Sequence, residues 1–163
     1  MRPPCRQHGV VLIEALVAIL IFSLGILGLV ALGGQAVGAQ SDAQYRTEAS
    51  GLADAIAGEI AINVDRRFNG VNIAASLPQF SHRATDSDCV FVNGADTTNA
   101  TVQALIDRAA ALPGATREQQ QIKVQNAVGT FNRVEITLCW SAANDNGAWR
   151  RHTYVTYING GAI

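Results

Sequence analysis

Residues 10–40 read VVLIEALVAILIFSLGILGLVALGGQAVGAQ, and the fold turns on what this stretch is. After Glu14 no charge appears until Asp42, an uncharged run of 27 residues. Residues 15–34, 20 positions, hold Ser23 as their only polar side chain. At about 1.5 Å rise per residue a helix of that length spans about 30 Å, the thickness of a bilayer's hydrocarbon core. Three interpretations compete. A core helix of a soluble domain is amphipathic, whereas this segment is apolar all round. A cleaved secretory signal would explain Arg2 and Arg6 and the small residues Ala36-Val37-Gly38-Ala39, but the apolar segment is long for one. A retained membrane helix has the right length, and Arg2 and Arg6 hold its N-terminus on the cytoplasmic side. The retained helix fits best.

Working outward, the averages blend two regimes. The chain has 163 residues, 48% hydrophobic and 15% charged, with 12 basic and 13 acidic side chains and a formal charge of −1. That apolar content excludes a disordered chain, and the lack of a positive excess argues against a strong nucleic-acid binder. Apart from Arg2, Arg6 and Glu14, all 22 remaining charges fall within residues 42–163. An apolar segment is therefore joined to an ordinary polar domain of single-domain size.

Glu14 interrupts the apolar segment near its start. A carboxylate inside a membrane is costly and demands a partner. It either sits wet at the headgroup level or is buried against a counter-charge, and nothing else in the apolar run carries one. The counter-charge must then come from another molecule.

The segment His8-Gly9-Val10-Val11-Leu12-Ile13-Glu14-Ala15-Leu16 resembles the leader and N-terminal helix of type IV pilins and pseudopilins. Those have a short basic leader, a glycine, an apolar residue and a glutamate at the fifth position after the cut. The resemblance implies prepilin peptidase cleavage between Gly9 and Val10, N-methylation of Val10, and Glu14 as an assembly carboxylate pairing with a neighbouring subunit's amine. Val10 departs from the usual phenylalanine, although aliphatic residues also stand there in pilin-like proteins. Further on, Ser23-Leu24-Gly25-Ile26-Leu27-Gly28-Leu29, Gln44-Tyr45-Arg46-Thr47-Glu48-Ala49 and Leu52-Ala53-Asp54 are similar to the minor pilins called type IV pilus modification proteins, of the PilV type. The likeness covers residues 9–62, about a third of the chain.

What the resemblance implies is a leader at 1–9, a transmembrane and filament-core helix at 10–40, and a periplasmic pilin-like head at 41–163. Such a subunit resides in the bacterial inner membrane before assembly and in the pilus, near its tip, afterwards. Its partners would be other minor and major pilins, prepilin peptidase, the inner-membrane assembly platform and membrane lipid, with no nucleic acid. It would help to initiate assembly or modify adhesion and motility. Two alternatives stand beside it: a pseudopilin of type II secretion, and a tip binding module (adhesin or DNA receptor) using residues 76–121 or 150–152.

Past the apolar run, Tyr45, Ala49, Leu52, Ile56 and Ile60 recur at helical spacing. No proline interrupts residues 10–63, which predicts one helix of about 54 residues, weakened at Gly25, Gly28, Gly33, Gly34 and Gly38 by about 1 kcal/mol each. Gly34-x-x-x-Gly38 is either a helix-packing face or ordinary membrane-helix glycine. From Asp65 the pattern changes. Residues 67–72 and 81–88 read as loops, 89–94 as a short strand, 101–112 as a helix opened by Asn99 or Thr101 and stopped by Pro113-Gly114, and 117–128 as a loop with a helical turn. Residues 131–141 and 149–158 alternate as a hairpin around Asn144-Asp145-Asn146-Gly147. The fold class is α+β: a long N-terminal helix, hydrophobic in its first half, packed on a small antiparallel sheet.

With Cys5 lost in the leader, Cys89 and Cys139 remain as an even pair on the periplasmic side, which predicts a disulfide; two separate buried thiols are the alternative. The mature chain would carry 10 basic and 13 acidic side chains. No P-loop, nucleophile elbow or zinc-protease motif is present, so no catalytic residue, cofactor or metal is expected, and the chain does not read as an enzyme. Asp86-Ser87-Asp88 is a cation loop or, more simply, a solvated turn; Arg66-Arg67 and Arg150-Arg151-His152 read as solvated positions.

Overall fold

The apolar stretch and the stripe beyond it form one helix, α1 (His8–Asn63), in the computed structural model, which describes residues 8–67, 71–126, 131–142 and 147–158. The chain divides into two units, Met1–Ser41 and Asp42–Ile163. The observed layout, a long helix plus a small antiparallel sheet, is the expected α+β class.

In the first unit the large apolar side chains from Val10 to Val37 all stand exposed, on every side of the helix. Ser23 satisfies itself, its hydroxyl donating to the Ile19 carbonyl at 2.7 Å. Gly25, Gly28, Gly33 and Gly34 do not interrupt the helix, and no atom lies near where a Cβ would project from any of them. The segment is long and apolar enough to cross a membrane.

In the second unit α1 changes character. Ala49, Leu52, Ala53, Ile56, Ala57 and Ile60 are buried as one stripe, because positions three and four apart share a helical face. All but Ala49 pack into a core with Ile122, Val134, Ile136 and Leu138 of the sheet, while Ala49 packs with Leu112 and Trp140. The sheet has three antiparallel strands in the order β1 (Gln120–Gln125), β2 (Arg133–Trp140), β3 (Arg150–Tyr157). Register pairs Ile122 with Ile136 and Ile136 with Tyr154, so the inner residues of all three strands align. A short helix α2 (Val71–Ser76) and a 3₁₀ turn (Leu77–Phe80) add Ile73, Leu77 and Phe80, and helix α3 (Ala100–Ala109) adds Val102, Ile106 and Ala109. Asp42, the first charge after the uncharged run, ties helix to sheet: its Oδ2 accepts from Arg46 at 3.1 Å and from Arg150 of β3 at 3.0 Å.

The β2–β3 hairpin lies where alternation put it; of its turn, Asn144, Asp145 and Asn146 fall outside the described residues, and Gly147 has φ +80°. Asn99 caps α3, its side-chain oxygen accepting from the Val102 N–H at 2.9 Å. That helix stops at Ala109, three residues short of expectation. The chain then tightens through Leu112 N–H to Ala109 O at 3.2 Å, and Gly114 turns it. Gly114 has φ +63°, and a Cβ there would lie 2.7 Å from the Ser141 carbonyl, so only glycine fits.

Three expectations need correction. The helical turn expected after residue 117 is there, a 3₁₀ turn (Arg117–Gln119), but it leads straight into β1 rather than a loop, and residues 127–128 lie outside the described residues. Residues 89–94 are not a strand. Asp88 and Cys89 adopt left-handed conformations, φ 63° and 60°, which break the extended run at its start. The loop expected through residue 72 ends earlier, because α2 already begins at Val71.

Candidate functional sites on the apolar helix and the outer sheet face

Each sequence-derived site residue has a definite place. Because α1 begins at His8, the Gly9–Val10 peptide bond lies in its first turn. Glu14 follows Val10 by four residues and so shares its helical face. Around it Val10, Val11, Leu12, Ile13, Leu16 and Val17 are exposed, and among the described residues Glu14 has no hydrogen-bond or ionic partner. A carboxylate in an apolar collar without an internal counter-charge is suited to pairing with a cation from elsewhere.

Cys89 and Cys139 are brought together as a disulfide, with Cα atoms 5.7 Å apart and 50 residues between them in sequence. Both half-cystines are buried with Phe91. The bond fastens the 83–94 loop to the central strand, and hydrogen bonds hold the rest of that loop. The Gln121 side-chain amide donates to the carbonyls of Arg83 and Asp86 at 2.7 and 2.9 Å. The Arg83 guanidinium donates to the Phe91 and Val92 carbonyls at 3.2 Å each. The Phe91 N–H donates to the Glu118 carbonyl at 2.7 Å. Asp86 is occupied as a turn brace, its Oδ2 accepting from the Asn93 N–H at 2.7 Å. Among the described residues no three His, Cys, Asp or Glu side chains gather as metal ligands.

His82 and His152 are not brought together. His82 bridges to Ile122 through both backbone groups, at 3.0 and 2.9 Å, covering part of the free edge of β1. Its ring is buried. The Thr97 N–H points to Nδ1 at 3.4 Å and the Arg117 carbonyl lies 3.4 Å from Nε2, an arrangement that suits a neutral ring protonated on Nε2. Asp96 lies 3.5 Å from Nδ1, but its carboxylate already engages the Arg83 guanidinium at 3.0 Å. Burial therefore wins and holds the imidazole below its ordinary pKa, against the opposing pull of the Arg117 carbonyl and Asp96. Arg117 in turn grips Asp107 of α3 with two donors, and the hydrogen bond to that carboxylate raises the guanidinium pKa. His152, on β3, lines an open groove with Arg46, Thr47, Ser50, Gly51 and Asp54 of α1.

The basic clusters mostly disperse into local pairs. Arg66 donates to the Ala61 carbonyl at 2.8 Å, Arg67 meets Asp65 at 3.3 Å, and Arg150 meets Asp42. Arg151 differs. It stands exposed on the outer face of the sheet, at one end of a cleft of about 210 Å³ whose wall is Ser87, Asp88, Cys89 and Phe91 and whose sheet face includes Gln121, Lys123, Glu135, Thr137 and Thr153. Sequence reasoning missed this cleft because β1 was not read as a strand. The alternation of Gln121, Lys123 and Gln125 with Ile122 and Val124 was the available signal.

No protein-family model, curated protein or solved structure matches this chain.

Proposed function

We propose that this chain is a type IV pilin-like subunit, most similar to minor pilins of the PilV type, which acts as a structural component in starting or modifying pilus assembly rather than as an enzyme. The observation that carries the reading is the placement of Glu14: one carboxylate, five positions after Gly9, at the head of the uncharged stretch of α1 and with no partner among the described residues. Such a group is costly in lipid and is stabilised when a neighbouring subunit supplies an amine. The free N-terminus made by cutting after Gly9 is such an amine. The α+β head and its disulfide support a subunit whose second unit folds outside the reducing cytoplasm. On this reading, residues 1–9 are removed, residues 10–40 reside in the inner membrane and then in the filament core, and the head faces the periplasm. The partners are other pilins, prepilin peptidase and the assembly platform.

The test is intact mass spectrometry of the protein from a host with prepilin peptidase, followed by assay of sheared filaments. The expected species begins at N-methylated Val10 and is found in the filaments. Gly9→Val should leave the chain uncut, and Glu14→Ala should be cut normally yet be absent from filaments. Recovery of an uncut chain from membranes, or normal incorporation of Glu14→Ala, overturns the proposal.

A further inference from the structure

The outer face of the sheet carries more than solvated side chains. Period-two alternation sends Ile122, Val134, Ile136 and Leu138 to the core and Gln121, Lys123, Glu135, Thr137, Arg151 and Thr153 to the other side. A sheet face that only meets water leaves such residues exposed. Here Gln121 and Thr137 are 3% and 8% exposed, because the loop pinned by the Cys89–Cys139 disulfide rises over them as a wall. The result is a polar recess with a fixed rim, and a rim already ordered adds little entropic cost on binding.

Its charges are arranged unevenly. Glu135 is neutralised by Arg133, whose guanidinium lies 2.6 Å from Oε2. Asp88 accepts only from its neighbour Ser87, at 3.2 Å. Lys123 and Arg151 have no ion pair among the described residues. By register they stand on opposite outer strands, in the rows of Glu135 and Cys139, with the Thr137 and Thr153 hydroxyls (3.4 Å apart) between those rows. Two uncommitted cations thus flank hydroxyls and carboxylate acceptors. That combination suits a ligand bearing both a carboxylate and several hydroxyls: the cations take the carboxylate, and Asp88 and the threonines take the hydroxyls. The volume, about 210 Å³, is below the ~300–1,000 Å³ of sites for drug-sized molecules, so it admits one ring-sized unit. One outer row further on, opposite Arg133, Tyr157 is 55% exposed and offers an aromatic face to a following unit.

We infer that this cleft binds an acidic sugar of the uronic-acid type, its carboxylate held by Lys123 and Arg151 and its hydroxyls by Asp88, Thr137 and Thr153. The inference concerns the second unit alone and does not depend on cleavage at Gly9 or on Glu14, so either proposal can fail without the other.

The experiment is titration of the full chain in detergent micelles with a galacturonic acid trisaccharide and, separately, a neutral galactose trisaccharide, read by calorimetry and by amide shifts in β1, β2 and β3. The uronate should bind and weaken with added salt, while the neutral sugar should bind at least about tenfold less tightly, as one lost charge-assisted contact implies. Lys123→Gln and Arg151→Gln should each lower uronate affinity about tenfold or more, with the near-ultraviolet dichroism of the head unchanged. Arg108→Gln, an exposed cation on α3, should bind like the parent. Equal binding of the two sugars, full binding by the Lys123 and Arg151 variants, or no binding of the uronate overturns the inference.

Discussion

Residues 10–41 and residues 42–63 belong to the same helix and obey different rules. In the first stretch the large apolar residues surround the axis and all are exposed; in the second most of them gather on one buried stripe, Ile62 being the large exception. The backbone hydrogen bonds are of one kind, so the difference lies in what each face expects to meet. The first stretch leaves its apolar side chains exposed, as suits burial in a surrounding medium, lipid or other helices. The second completes its burial internally, against β1, β2, α2 and α3. One element can thus be finished by its own fold at one end and unfinished at the other. A helix interior made only of good propensities would be marginal alone, so the first stretch depends on its medium.

The contrast can be broken or sharpened by experiment. The largest effect is expected from removing the disulfide with Cys89→Ser and Cys139→Ser. It closes 50 residues of chain, so the loss is about 4 kcal/mol on the loop-entropy account. Denaturant titration of the full chain in micelles should show it in the near-ultraviolet signal of the head. The far-ultraviolet helical signal left after the head unfolds should not change; if it falls too, the two stretches are not independent. Next, the same substitution placed in both stretches should have unequal results. Ile56→Ala, in the core, should cost about 3 kcal/mol by loss of buried methylenes and formation of a cavity. Ile21→Ala, exposed on the first stretch, should leave the head's midpoint unmoved. Equal losses would show that the first stretch is packed on the head.

The smallest effect is a pH dependence confined to the head. The folded-state pKa of His82 is lowered below its ordinary value by burial, so the unfolded chain binds the proton more readily. Stability from keeping this ring neutral is fully present above the unfolded pKa and is lost as pH falls from there toward the folded one. The unfolding midpoint should therefore drop on acidification from about neutral to mildly acidic pH, through the ordinary histidine range. His82→Gln should flatten that slope while lowering the midpoint at neutral pH. An unchanged slope would place the proton elsewhere.

Much of this arrangement was legible in the sequence. The 27-residue uncharged run, the Ala49–Ile60 stripe and the β2–β3 alternation each impose one periodicity without competition. The strand β1 was hidden by its own chemistry. Gln120 occupies an inner position where an apolar residue is expected, and it is fully buried because its amide is satisfied by the Thr116 and Cys139 carbonyls at 3.1 and 3.2 Å. A polar residue satisfied only by the finished fold erases the local signal. Residues 89–92 show the converse. Cys89 and Phe91 are buried and Val90 and Val92 exposed, as in a strand, yet the Phe91 N–H goes to Glu118 of the 3₁₀ turn rather than to a ladder. Side-chain period is readable from sequence; the backbone's partner is not. The cleft was invisible for the same reason, since Lys123 and Arg151 become neighbours of one recess only through β2.

Asp42 gives the molecule a detent. Its carboxylate is shared by Arg46 along the helix and Arg150 at the start of β3. All three side chains are at least a quarter exposed, so the pairs add little stability. Their value is positional. Arg46 travels with the carboxylate on the same helix, so the contact with Arg150 is the one that depends on where the helix sits along β3. The first charge after the uncharged run is thereby also a marker of the helix's phase against its sheet.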